Sequence, residues 1–386
     1  MKFKKFLALK STNYDKIDRF FMFKMFEKYK SNFKLPFIIQ IIGTNGKGST
    51  GRFLAQLLEN LGLKIGHFTS PHIFSFNERF YTNKNIISDE ELEKTHEILH
   101  EIFGSDFEKL SYFEYATFLA LKMFEKSDFL ILEAGVGGEY DATSVFGANM
   151  SIFTKISYDH MQILGNSLEQ IARTKLKTMT KLALISDEQE QSVLSLAQKI
   201  AILKGSDLRI STLNPYLQDE FENYTFNFKL PNFLRHNLKL ALNACEILQG
   251  KEKSLQALKS LKALNLQGRC QKINENLFVD VGHNALAASA LCESFKNEKI
   301  NLIYNSYLDK DVYEILKTLK PIIDTIQIYK YENLERKLAN DEIFNIASSL
   351  GVKCEHFKSL NLQKKNLVFG SFVLVENFLR NWCDKK

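Results

Sequence analysis

The stretch Gly43-Thr44-Asn45-Gly46-Lys47-Gly48-Ser49-Thr50 constrains this chain more than any other. It follows a short apolar run, residues 36–42, that reads as a buried strand, and it opens a segment of helical period over residues 47–61. Glycines at such a turn let backbone N–H groups curl around phosphate oxygens without a Cβ clash. The helix that follows adds partial positive charge at its N-terminus. Lys47 is placed to reach the β- and γ-phosphates of a nucleotide, and Ser49 or Thr50 to ligate Mg²⁺, with Asn45, Gly46 and Gly48 completing the loop. The spacing departs from the common G-x-x-x-x-G-K-[ST] form: two residues separate Gly43 from Gly46, and Gly48 stands between Lys47 and Ser49.

The remainder of the chain repeats the same rhythm of short apolar runs and helical segments, which predicts a parallel α/β architecture. Strands are expected at residues 64–68, 128–133, 151–156 and 182–186, and helices at 89–103, 112–126 and 167–179. Residues 224–230, YTFNFKL, alternate like an antiparallel edge strand. A second α/β series, with the strands LFVDV, NLIYN, TIQIY and NLVFG, begins after Gly268. We therefore expect two domains, 1–267 and 268–386, which suits a chain of 386 residues. Five prolines and no Ser/Gly-rich linker imply a short joint, with ligands in a cleft shared by both domains.

Composition narrows the function class. A net charge of +6 suits an anionic substrate, and lacks the dense basic stripe of a nucleic-acid binder. The five cysteines form no C-x-x-C pair, so neither a disulfide framework nor a structural zinc site is expected. The apolar stretch near the N-terminus is shorter than the roughly 7–15 residues of a secretory signal. No run approaches the roughly 18 apolar residues of a membrane span. The expectation is a cytoplasmic, monomeric protein with no nucleic-acid or membrane partner.

Further motifs follow the loop in a fixed order. They are Thr69-Ser70-Pro71-His72 with Asn77-Glu78-Arg79, Glu133-Ala134-Gly135-Val136-Gly137-Gly138, Asp141-Ala142-Thr143-Ser144, and Asp159-His160 with Leu164-Gly165. Gly268-Arg269, Asp280-x-x-His283-Asn284, Asp309-Lys310-Asp311 and Gly370-Ser371 occur in the second half. Together with the loop, this series resembles the folylpolyglutamate synthase/dihydrofolate synthase family of the Mur ligase superfamily. The resemblance implies a P-loop-containing, Mur-ligase-like ATP domain followed by a smaller Rossmann-like α/β domain. Three departures are visible: Phe233-Leu234 where the family usually has His-Gln, Leu176-Lys177 after Lys175 where it has Ala-Gly, and Asp280-Val281-Gly282-His283-Asn284-Ala285 in place of D-x-A-H-N-P.

By that resemblance, Ser70, Glu133 and His160 contact Mg²⁺ together with Ser49. Asn237 meets adenine, Arg269 and Asp280 meet the nucleotide, and His283 lies beside the phosphates. Lys175 occupies the position of a carbamylated lysine that orients a second metal. Ser111-Tyr112-Phe113-Glu114 and Asp141-Ala142 resemble the pteroate-contacting stretches, with Phe113 as the stacking candidate, and residues 15–19 are candidates to close that pocket. The implied reaction is ATP-dependent addition of L-glutamate to dihydropteroate, to a (tetrahydro)folate, or to both, through an acyl-phosphate. Lys47, His283 and Lys175 are the expected catalytic groups, and ATP and Mg²⁺ the expected cofactors. A monofunctional folylpolyglutamate synthase is the alternative. A P-loop regulatory NTPase fits less well, since N-K-x-D is absent and the second α/β series carries motifs of its own.

Overall fold

A run such as Phe-Ile-Ile-Gln-Ile-Ile has no polar face, so it is stable only with both sides covered, the usual lot of a central parallel strand. The computed structural model, which describes residues 2–10, 20–333, 336–361 and 363–383, puts it there. Residues 15–19 lie outside the described residues. The chain divides into two compact units, residues 1–230 with 234–265, and residues 231–233 with 266–386.

The first unit is built on eight strands: β1 Phe37–Ile42, β2 Ile65–Phe68, β3 Phe80–Thr82, β4 Asn85–Ile86, β5 Phe129–Glu133, β6 Met150–Phe153, β7 Leu182–Ile185 and β8 Asp207–Ile210. Their order is β4-β3-β2-β5-β1-β6-β7-β8. From β2 to β8 all neighbours are parallel, while β3 and β4 add an antiparallel edge. β1 therefore sits between β5 and β6, with Ile41 opposite Glu133 and Ile42 opposite Phe153. β1's neighbours in the sheet are distant from it in sequence, and the carboxyl ends of the parallel strands gather at one edge, where ligands of such sheets bind.

The second unit holds β9 Gln271–Asn274, β10 Leu277–Asp280, β11 Ile300–Tyr304, β12 Ile323–Ile328, β13 Lys353–His356 and β14 Asn366–Phe369, ordered β13-β12-β11-β14-β10-β9. Only β9 is antiparallel to its neighbour. Its core gathers Leu302, Tyr304, Ile326, Leu367 and Phe369 from the strands with Leu291, Leu316 and Ile343 from the helices.

One expected strand is not formed. The expected edge strand at 224–230 is mostly helix, Gln218–Asn227. Phe221, Tyr224 and Thr225 are buried at helical spacing, whereas Phe226 is 82% exposed. The alternation of Tyr224, Phe226 and Phe228 is therefore incidental, and the period set from Leu217 and Phe221 decides the matter. Among the described residues no helix is long and apolar enough to cross a membrane.

Candidate active site

The phosphate loop leaves β1 as read from the sequence. Gly46 adopts φ +89°, and a Cβ there would come within 2.5 Å of Asn237 Oδ1, so the position requires glycine twice over. The helix Lys47–Glu59 starts at once, its first turn closed by Thr50 N–H donating to Gly46 O at 2.9 Å. Asn45 and Lys47 are half-buried, and Gly48, Ser49 and Thr50 are buried. The loop's other end is tied to the segment that follows β6, for Thr44 N–H donates to Lys155 O and Thr44 Oγ1 to Ser157 O, both at 2.9 Å.

Two lysines converge on one carbonyl. Lys47 Nζ lies 3.3 Å from Gly43 O and 3.1 Å from Thr44 O. Lys175, from the helix Leu168–Leu176, donates to the same Gly43 O at 2.9 Å. Lys175 is 5% exposed, and its amine is lowered to about 7, first by burial and then by the Lys47 ammonium. The sequence indicated the position of this lysine but gave no sign of its burial.

The carboxyl end of β5 supplies the next group. Glu133 is buried, and its Oε2 accepts hydrogen bonds from Ser70 N at 3.0 Å and from Thr69 Oγ1. Thr69 was not among the expected site residues. Its sign in the sequence is a hydroxyl one residue before Ser70, at the end of β2. The glycine turn after Glu133 then crosses the lysine-bearing helix. A Cβ on Gly138 would stand 3.1 Å from the Cα of Lys175, so the chain must be bare there. His160 follows β6, exposed and left-handed at φ 50°, with Nε2 4.0 Å from the Asp159 carboxylate. Among the described residues no group of three or more His, Cys, Asp or Glu could hold a metal ion.

Asp141 closes the turn. It is buried, and accepts from Gly135 N–H at 2.8 Å, Val136 N–H at 3.0 Å, and Thr143 N–H and Oγ1 at 2.9 and 2.6 Å. Burial pushes its carboxyl upward while these bonds pull it down. Ala142 is buried behind it. Phe113 packs on Phe68 at 5.8 Å, and a Cβ on Gly135 would lie 2.8 Å from its ring. Phe113 and Asp141 thus flank one bare glycine. Ser111 and Glu114 form a reciprocal capping box on the helix Tyr112–Met123, and Tyr112 packs edge-on against Phe76.

Asn237 belongs to the first unit and donates to Ser49 Oγ at 2.9 Å. In the second unit, Asp280 is buried at the end of β10 and accepts from Cys270 N–H and Gly282 N–H, both at 2.7 Å. Burial pushes its carboxyl up, and the Arg269 guanidinium opposes that. His283 Nδ1 is 3.3 Å from Val281 O. A carbonyl only accepts, so the bond puts a proton on Nδ1.

Comparison with known proteins defines the class first. Residues 41–245 match the Mur ligase middle domain, more than half of the chain. The dihydrofolate synthase/folylpolyglutamate synthase of Buchnera aphidicola subsp. Schizaphis graminum is 31% identical over 404 residues, covering 95% of this chain and 94% of that protein. The crystal structure of Helicobacter pylori folylpolyglutamate synthetase is 38% identical, with a TM-score of 0.78 and coverage of 99% of this chain and 98% of that one. A bifunctional folylpolyglutamate synthase/dihydrofolate synthase from Yersinia pestis, complexed with AMPPNP and a Mn ion, shares the fold at 23% identity, with a TM-score of 0.78 over 98% of this chain and 97% of that one. The chain belongs to the dihydrofolate synthase/folylpolyglutamate synthase family and is an ATP-dependent ligase of folate metabolism.

Proposed function

We propose that the protein joins L-glutamate to dihydropteroate, and more slowly extends a reduced folate, at the expense of ATP. The observation that supports this most directly is the convergence of Lys47 and Lys175 on Gly43 O, with Glu133 at the end of the adjoining strand. Amide formation from a free carboxylate is uphill in water, so the carboxylate must be activated. The acceptor carboxylate attacks the γ-phosphorus of ATP, the bond to ADP breaks, and an acyl-phosphate forms. The glutamate amine then attacks the acyl carbon, the carbon–oxygen bond to phosphate breaks, and the amine proton is lost.

In this reading Lys47 binds the β- and γ-phosphates, with the N–H groups of Asn45, Gly46 and Gly48 around them. Asn237, Arg269 and Asp280 contact the nucleotide, and His283 uses Nε2 toward the transferring phosphoryl group. The residues suit a hard divalent ion: Glu133 has one oxygen, Oε1, with no hydrogen-bond partner among the described residues, and Ser49 and Ser70 supply hydroxyls. We assign Ser49, Ser70, Glu133 and His160 to Mg²⁺, with Lys175 as a carbamate. Bound there, Mg²⁺ would neutralise the charge that develops on the phosphoryl oxygens. A plain ammonium at Lys175 would repel the ion. An amine lowered to about 7 by burial and the Lys47 ammonium can instead take up CO₂ and become an anionic oxygen ligand. Phe113, Asp141 and Ala142 line the acceptor site, and Ser111, Tyr112 and Glu114 hold the helix that carries Phe113.

ADP release from purified protein tests the reading. It should require both the acceptor and L-glutamate, with dihydropteroate used at lower concentration than tetrahydrofolate. Turnover with tetrahydrofolate and none with dihydropteroate would establish the monofunctional alternative. ADP release independent of glutamate would return the protein to the class of P-loop switches.

A further inference from the structure

We propose that Arg52 is a positioning residue for the ligation, tying the phosphate-loop helix to the end of the first unit so that the chain enters the second unit from a fixed point. The inference rests on the assignment of Arg269 to the nucleotide given above. Arg52 lies in the second turn of the helix Lys47–Glu59 and is 2% exposed. A buried arginine ordinarily meets a carboxylate. Arg52 instead gives its donors to neutral groups. Its Nε donates to His67 Nδ1 at 3.1 Å, and a terminal N–H donates to Asn265 O. Its guanidinium carbon lies 3.8 Å from the centroid of the Tyr81 ring. Burial brings the guanidinium down to about 10, so it remains a cation at neutral pH.

Stability does not account for this arrangement. Among the described residues, Arg52 Nη2 and His67 Nε2 are buried without a hydrogen-bond partner. A buried cation with no carboxylate against it costs free energy that an apolar side chain of similar size would not. What the arginine holds is the path of the chain. Gln56, one turn on, donates from Nε2 to Ala263 O and accepts from Asn265 N–H, both at 3.1 Å. Asn60, a turn further, donates to Ala257 O at 3.1 Å. Positions 52, 56 and 60 recur at the spacing of one helix face. From the helix Gln218–Asn227, Tyr224 Oη donates to Lys262 O at 2.8 Å.

The segment held in this way has little other support. Residues 261–267 follow the helix Lys251–Lys259 without helix or strand, and Lys262, Ala263 and Asn265 are exposed. Asn265 is gripped at both its N–H and its C=O, and Leu266 begins the second unit. Arg269 stands four residues beyond Asn265. The helix that grips Asn265 carries Lys47 and Ser49 in its first turn. One rigid element thus bears both the phosphate-loop groups and the anchor of the joint. A short exposed segment released from its anchor gains conformations, and ordering it again in each turnover costs entropy. The gripped groups are backbone atoms, so the anchor fixes the path of the chain whatever side chains occupy it.

The test combines ADP-release kinetics with hydrogen–deuterium exchange in the presence of AMPPNP, on Arg52→Met, Arg52→Lys and Gln56→Leu. In Arg52→Met, kcat should fall about 10-fold, the equivalent of one hydrogen bond from a charged donor. The acceptor KM should stay within about twofold of the parent, and the melting temperature should be no lower. Arg52→Lys should recover part of kcat, because an ammonium can still donate to a carbonyl, and Gln56→Leu should lose less than Arg52→Met. Amides of residues 261–268 should exchange faster in Arg52→Met and Gln56→Leu, while those of 43–50 keep the parental rate. A kcat within about twofold of the parent in Arg52→Met would overturn the proposal. A lower kcat with unchanged exchange over 261–268 would place the effect in the loop itself and equally overturn it. A lower melting temperature with faster exchange throughout the first unit would make Arg52 a core contact, with the same consequence. If the parent released no ADP with either acceptor, the acceptor assignment would fail, and exchange over 261–268 would still decide the tie.

Discussion

Lys47 and Lys175 reach the same carbonyl from opposite ends of two helices, and their surroundings give them different chemistry. Lys47 opens its helix, half-buried at the mouth of the loop. Lys175 lies in the last turn of its helix, fully enclosed, with Gly138 and Thr178 over its backbone. Burial and the neighbouring ammonium bring Lys175 down to about 7. One lysine thus stands at the mouth of the loop, and the other is enclosed with its amine held well below the usual lysine range. Residue type decides little here; desolvation and the second cation decide nearly everything.

The comparison breaks most visibly at Lys47. Lys47→Ala should fold with a melting temperature near that of the parent and lose ligation by about 10²- to 10³-fold, the usual cost of removing a group that stabilises transition-state charge. Near-parental ADP release would overturn the phosphate-loop assignment.

Lys175→Ala should cost most of the activity too, with one difference that Lys47→Ala cannot show: bicarbonate or a short carboxylic acid should restore part of it. Full activity of Lys175→Ala in CO₂-depleted buffer would refute the carbamate.

A third outcome concerns stability. In metal-free, CO₂-depleted protein, Lys175 binds a proton less readily folded, at about 7, than unfolded, at 10.5. Between those values the unfolded chain holds more protons, so this residue's contribution to stability rises with pH and its penalty is greatest below 7. Replacing it with the uncharged Lys175→Met should therefore raise the melting temperature more at pH 6 than at pH 9. An equal shift at both would mean the amine is not desolvated.

The smallest effect is expected at Asn237. Losing its bond to Ser49 Oγ in Asn237→Ala should raise the KM for ATP by about 5- to 10-fold, in line with one neutral hydrogen bond, and change the melting temperature little. A fall in kcat with an unchanged KM would move Asn237 away from nucleotide binding.

Much of this was legible in the chain itself, for identifiable reasons. The helix Asp89–Phe103 is bounded as expected because Ser88 and Glu91 form a capping box and Gly104 ends it. The same device at Ser111 and Glu114 caps the helix Tyr112–Met123, so residues that resemble a substrate-contacting stretch also start a helix. The strands that went unread, β3, β4, β8, β9 and β13, are short, and most lie at or near sheet edges. β4, β8, β9 and β13 are partly polar and exposed, so no apolar run marks them, and the buried β3 is only three residues long. The helix at 218–227 was misread because three aromatics happened to alternate.

What the sequence by itself determined is the loop after β1, its lysine and hydroxyls, and the order of motifs that carries the family. Glycine spacing and apolar runs are local properties, and they act through the backbone over a few residues. The tertiary structure alone decided that Thr69 would share Glu133 with Ser70, that Asp141 and Phe113 would flank one glycine, and that Arg52 would meet Asn265 O. It also decided that Lys175 would be sealed from water 132 residues away from the carbonyl it bonds. Burial and proximity depend on which strands lie side by side, and β1 lies between two strands remote from it in the chain.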